Sequence, residues 1–212
     1  MAASPQFVRI GRSPVPTRLA ADRSVTFDAT ANTVLSTAHG LAAGDEVTLF
    51  SSAGAPGGLV VGTRYFVVNP AVDNFQVAAT LGGAAIDLTT AGTAPHIIRA
   101  HNARLDGLGR TELIIAAPTG VGAEGMRIDT IRVQAAGTTT AGMVRLFKTE
   151  GAIIRLLNEL AVTAATPSTT VRAFSADITF AGGLPLEPGQ TLRMSTDRAE
   201  LFDVTLLSGG EF

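Results

Sequence analysis

The sequence contains no cysteine and no tryptophan, a single tyrosine (Tyr65) and a single lysine (Lys148). Without cysteine there are no disulfides, no thiolate catalysis, no zinc–cysteine site and no iron–sulfur cluster. Sugar-stacking platforms and interface hot spots draw on several Trp or Tyr residues, so their scarcity counts against both. No stretch approaches the ~20 continuous apolar residues of a membrane span. The N-terminal MAASPQFVRIGRSP has no apolar run of signal-peptide length. A marked excess of one charge is missing too. Sixteen basic residues face 18 acidic ones for a net charge of −2, which makes no case for a nucleic-acid binder.

What is present is a chain of 212 residues, 46% apolar and 16% charged, too apolar for disorder and long enough to bury a real core. Short runs of Val, Ile, Phe and Thr alternate with Gly, Pro, Asn and Ser clusters, the pattern of an all-β sandwich or barrel. The predicted architecture has an extended N-terminal arm over residues 1–23, a small β-barrel-like module over 24–100, a linker over 101–109, and a jelly-roll-like β-sandwich over 110–212. Pro5, Pro14 and Pro16 oppose helix and central strand in the arm. The arm also carries Arg9, Arg12, Arg18 and Arg23 against one acid, Asp22. It reads either as a frayed terminus or as a segment lying on a neighbouring subunit, with Phe7, Val8 and Ile10 favouring docking.

The clearest hairpin predicted joins Arg64–Asn69 to Asn74–Thr80 through turn residues. Strands are expected over Thr111–Ala116, Asp129–Ala135, Met143–Lys148, Ile153–Thr163, Val171–Phe180, Thr191–Ser195 and Phe202–Leu206. Ile153, Leu156, Leu157 and Leu160 also sit at helical spacing, but their β neighbours favour a strand. Leu184-Pro185-Leu186-Glu187-Pro188-Gly189 reads as a loop that a central strand would not tolerate.

Catalytic signals are weak. His39, His96 and His101 lack the spacing of a metal site and read as surface or loop residues. No serine lies in a G-x-S-x-G elbow. Glu112 with Asp129, and Asp197 with Glu200, are carboxylate pairs only in the sense that any two acids are. Asp45-Glu46 reads as turn chemistry beside Gly44. Gly120-Val121-Gly122-Ala123-Glu124-Gly125 matches G-x-G-x-x-G, but no helical pattern follows, so it reads as a turn. Arg132, Arg145, Arg155 and Arg172 lie among apolar residues. They are either the polar face of alternating strands or interface arginines that pair with acids of another subunit. No cofactor or metal site emerges.

Residues 39–93 carry an ordered set of turns and strands. These are His39-Gly40-Leu41, Gly44-Asp45 with Val47, Gly57-Gly58-Leu59 with Gly62-Thr63, Tyr65-Phe66-Val67-Val68-Asn69, Phe75-Gln76-Val77, Gly83-Ala84-Ala85-Ile86-Asp87, and Ala91-Gly92-Thr93. The set resembles a small β module that recurs in tailed-phage virion proteins and is similar to the first catalytic-cysteine half-domain of ubiquitin-activating enzymes. It spans about a quarter of the chain. With no cysteine present, ubiquitin chemistry does not carry over. Ile128–Val133, Val144–Phe147, Pro185–Gly189 with Thr191-Leu192, and Phe202–Val204 resemble C-terminal β domains of small phage structural proteins.

The resemblance implies a non-enzymatic virion protein, with a capsid decoration or cement protein expected first. Its partners would be the major capsid protein and copies of itself, as a trimer, on the capsid surface. Phe7, Arg9, Ile10, Arg12 and Arg18 would make the contacts, with no small-molecule substrate, no nucleic acid and no membrane. The alternatives are a tail or fibre component binding a host surface, and a virion glycosidase, which would need a cleft with converging carboxylates.

Overall fold

The computed structural model describes residues 8–9, 17–121 and 123–211, and every regular element among them is a strand. The chain runs through β1 (Val8–Arg9), β2 (Thr17–Leu19), β3 (Asp22–Asp28), β4 (Thr33–Leu35), β5 (Glu46–Ser51), β6 (Arg64–Val68), β7 (Asn74–Ala78) and β8 (His96–His101). It continues through β9 (Glu112–Ala116), β10 (Met126–Ala135), β11 (Gly142–Glu150), β12 (Ile153–Val162), β13 (Ser175–Leu186), β14 (Thr191–Thr196) and β15 (Phe202–Glu211). The fold is all-β, and residues 153–162 are a strand, as their neighbours predict.

Strands β3, β4, β7, β6, β5 and β8 close into a barrel, in that order. Period-two spacing fills it. Val25 and Phe27 of β3, Tyr65 and Val67 of β6, and Phe75 and Val77 of β7 alternate with solvent-facing residues and meet Leu49 and Ile98 in one core. The predicted hairpin is present as β6–β7, with Val67 opposite Val77. Tyr65 is buried, and its phenolic oxygen accepts the Val60 N–H at 2.7 Å. Tyr65→Phe keeps the ring but strands that donor. It is expected to cost about 1–2 kcal/mol by urea denaturation.

The second core lies between two antiparallel sheets. One has the order β12-β11-β14-β9; the other has the order β1-β15-β10-β13, with β2 also on β15. From β9 onward the chain changes sheet at every connection except the β11–β12 hairpin. Met126 and Ile128 face inward, and so do Ile131, Val133 and Ala135. The change of parity is absorbed by a bulge between Ile128 and Thr130, where the register shifts against both neighbouring strands.

Four expectations are corrected here. The segment 1–23 is not simply an arm. Thr17, Arg18 and Leu19 pair with Val204, Asp203 and Phe202, Val8 and Arg9 pair with Glu211 and Gly210, and Asp22 and Arg23 already belong to the barrel. Leu19 is 1% exposed and sits in the sandwich core. The barrel is therefore threaded between the first two strands of the sandwich, β1 and β2, and the rest of it. Residues 184–186 continue β13 instead of forming a loop. Pro185 is tolerated opposite Arg127 because β13 is an edge strand. The linker begins one residue late, since His101 ends β8 opposite Glu46. Finally, all three histidines are buried, at 1%, 4% and 4% exposure for His39, His96 and His101.

Candidate functional site

Each buried histidine is held by barrel geometry. His39 Nδ1 accepts the Leu41 N–H at 3.0 Å, its Nε2 lies 3.1 Å from the Asn74 carbonyl, and its ring meets Phe75 edge-on at 5.0 Å. The tautomer with Nε2–H serves both contacts. His96 Nδ1 lies 3.0 Å from the Ser51 hydroxyl, and its ring meets Phe27 edge-on. These two are satisfied core residues. His101 differs. Its Nε2 lies 3.0 Å from the Thr48 hydroxyl, whereas its buried Nδ1 has no hydrogen-bond partner and stands 3.4 Å from Glu46 Oε2 without bonding alignment. Burial first, then the positive charges of Arg64 and Arg198, push its pKa down to about 4; Asp197 opposes them. No group of three or more metal-ligating side chains gathers among the described residues.

Of the expected contact residues, Phe7, Ile10 and Arg12 lie outside the described residues, and Arg9 is described only as backbone in β1. Arg18 is engaged within its own chain. Its Nε and Nη2 donate to both carboxylate oxygens of Asp203 at 2.8 Å each. Arg132 forks onto Asp177 in the same manner, and Arg145 Nε donates to Glu159 at 2.9 Å. These arginines join neighbouring strands of one chain, as cross-strand pairs do.

The barrel and the sandwich meet along a seam of backbone contacts. The Asn102 N–H donates to the Thr196 carbonyl at 2.9 Å, and Ser195 Oγ donates to the Asn102 carbonyl at 3.3 Å. Arg99 of the barrel reaches the Ala199 carbonyl at 3.0 Å, and Arg110 reaches back to the Gly40 carbonyl at 3.2 Å.

Above this seam lies a cleft of about 480 Å³, lined from the barrel by Thr48, Phe50, Arg64, Arg99 and His101, and from the sandwich by Thr138 and residues 197–200. Asp197 and Glu200, one of the carboxylate pairs noted in the sequence, thus do share a cleft. Both serve the backbone. Asp197 accepts the Met143 N–H at 2.9 Å, and one Glu200 oxygen accepts the Thr140 N–H at 2.8 Å and its hydroxyl at 2.6 Å. The arginines of the cleft were not singled out from sequence. No family model matches the chain, and no curated protein or solved structure matches it.

Proposed function

We propose that this chain is a non-enzymatic structural protein of a tailed-phage particle, and that it decorates the capsid by many repeated weak contacts. One observation carries the reading. One edge strand of each sheet is long, at 10 residues for β12 and 12 for β13, and β12 exposes Ile153, Leu156 and Leu157 at 53%, 37% and 39%. An edge that leaves backbone donors and apolar side chains open favours association with another protein. We read the strand order, with β2, β15, β10 and β13 in one sheet and β9, β14, β11 and β12 in the other, as that of a jelly roll. Viral capsid and lectin domains share that architecture, which supports the reading by analogy of fold. Each contact is modest, and repetition over a symmetric shell multiplies it. We place self-association, as a trimer, in the same reading.

A tail or fibre component that binds a host surface is the second reading, favoured by the arginine-lined cleft. Counting copies by quantitative mass spectrometry of the assembled particle separates the two. Decoration predicts a number comparable to that of the shell protein, and a fibre predicts a few. Absence from particles would reject both. Leu157→Asp, at an exposed edge position, is expected to lower occupancy on the shell at least tenfold while leaving the thermal transition in place. Unchanged occupancy would remove β12 from the interface.

A further inference from the structure

The cleft at the seam has an uneven distribution of partners. Asp197 accepts the Met143 N–H through Oδ1, and Glu200 accepts the Thr140 N–H and hydroxyl through Oε1, so each carboxylate uses one oxygen for its own chain. Arg99 is also committed: Nε donates to Asp22 at 2.6 Å, Nη1 donates to the Ala199 carbonyl, and the guanidinium stacks over Phe50 at 4.5 Å. Two guanidinium groups remain. Arg64 projects from β6 with its side chain 51% exposed; its Nη1 makes a long 3.4 Å contact with Glu46 and its guanidinium lies over the Phe66 ring at 5.5 Å, so only part of its donor fork is used. Arg198 follows β14, is exposed, and its guanidinium has no hydrogen bond or ion pair among the described residues. Both line the same cleft, one from each side of the seam. His101 lines the same cleft, and its buried Nδ1 lacks a hydrogen-bond partner.

We infer that this cleft binds one anionic group, a carboxylate or a phosphate, between Arg64 and Arg198. Guanidinium groups present planar forks of donors that match either oxyanion, and charge-assisted bonds of this kind are the strong ones. Arg64 and Arg198 line one cleft of about 480 Å³ with His101, and the Asp197 and Glu200 carboxylates line it too. Thr48 and Thr138 add hydroxyl groups to the lining. A ligand held there would tie the barrel to the sandwich by a contact that neither unit supplies alone. The inference concerns the cleft only and does not depend on the capsid reading.

The test uses the full chain and three probes at matched ionic strength: inorganic phosphate, acetate, and a short Asp/Glu-containing peptide. Isothermal titration and backbone amide NMR shifts are the readouts. Saturable binding is expected, with shifts concentrated at residues 62–64 and 197–200. Arg64→Gln and Arg198→Gln should each weaken binding at least tenfold. Both side chains are solvent-exposed, so the variants should keep the wild-type melting transition. Arg132→Gln, which breaks only the outer pair with Asp177, should bind as wild type does. Phosphate binding without the peptide assigns the site to a free oxyanion, and peptide binding assigns it to an acidic segment of a protein. Linear, non-saturating shifts with all three probes, or equal affinity in all variants, would overturn the inference.

Discussion

Replacing Leu19 by alanine is expected to destabilise the sandwich by about 2–5 kcal/mol, the range for truncating a fully buried leucine. The residue is 1% exposed and packs in the same core as Met126, Ile131, Leu192 and Phe202. Its register partner Phe202 is fully buried and meets Phe174 edge-on at 6.3 Å. Leu19→Ala opens a void beside these rings, and the three-residue β2 has few contacts through which to close it. Deleting residues 2–18 should have a related effect, because it removes two of the three β2 residues from the edge of β15. It would therefore not act as a simple loss of an arm. The barrel core contains no residue of this cluster. Hydrogen exchange should accordingly show lost protection in β10 and β15 and retained protection in β6 and β7. Leu35→Ala, at a position 40% exposed in the barrel, is the control. Equal stability losses for the two variants would reject the placement of Leu19.

Acidification is expected to weaken the fold through His101. Its folded pKa of about 4 lies below the ordinary value of 6.5, so between these values the unfolded chain holds more protons than the folded one. The neutral imidazole's contribution is complete above about pH 6.5, declines as pH falls toward 4, and changes little below that. A difference of this size corresponds to about 3 kcal/mol over the window. The groups around the ring are Thr48, Glu46, Arg64, Asp197 and Arg198. Asp45, whose pKa is raised mainly by burial, works in the opposite direction, so the wild-type curve alone does not isolate His101. His101→Gln does. Urea denaturation at pH 8, 6 and 4 should give a variant that is less stable than wild type at pH 8, because the bond to Thr48 is altered. The variant should also lose less stability on acidification. Parallel curves for the two proteins would rule out the histidine as the source.

Where these effects arise also shows what was legible in the chain. Alternation placed Phe75 and Val77 on one face of β7, and both are in the barrel core. The bulge between Ile128 and Thr130 that turns Ile128 and Ile131 toward the same core was not read from the sequence, although its signal, a local break in alternation, is there. Such features are local: they follow from period-two spacing and turn residues within a few positions of each other. Pro185 was misread because proline restricts a strand only by its place in a sheet, and edge position is a property of the whole sheet.

The amino-acid order by itself determined that the chain is all-β, that it is free of cysteine chemistry, and where most strands lie. Tertiary structure alone decided that Leu19 belongs with Phe202, 183 residues away, and that three unremarkable histidines are interior. It also brought Arg64 and Arg198 to one cleft. The physical reason is that strand pairing across such separations leaves no local periodicity behind. It is selected by which apolar faces remain to be covered once the neighbouring strands have folded.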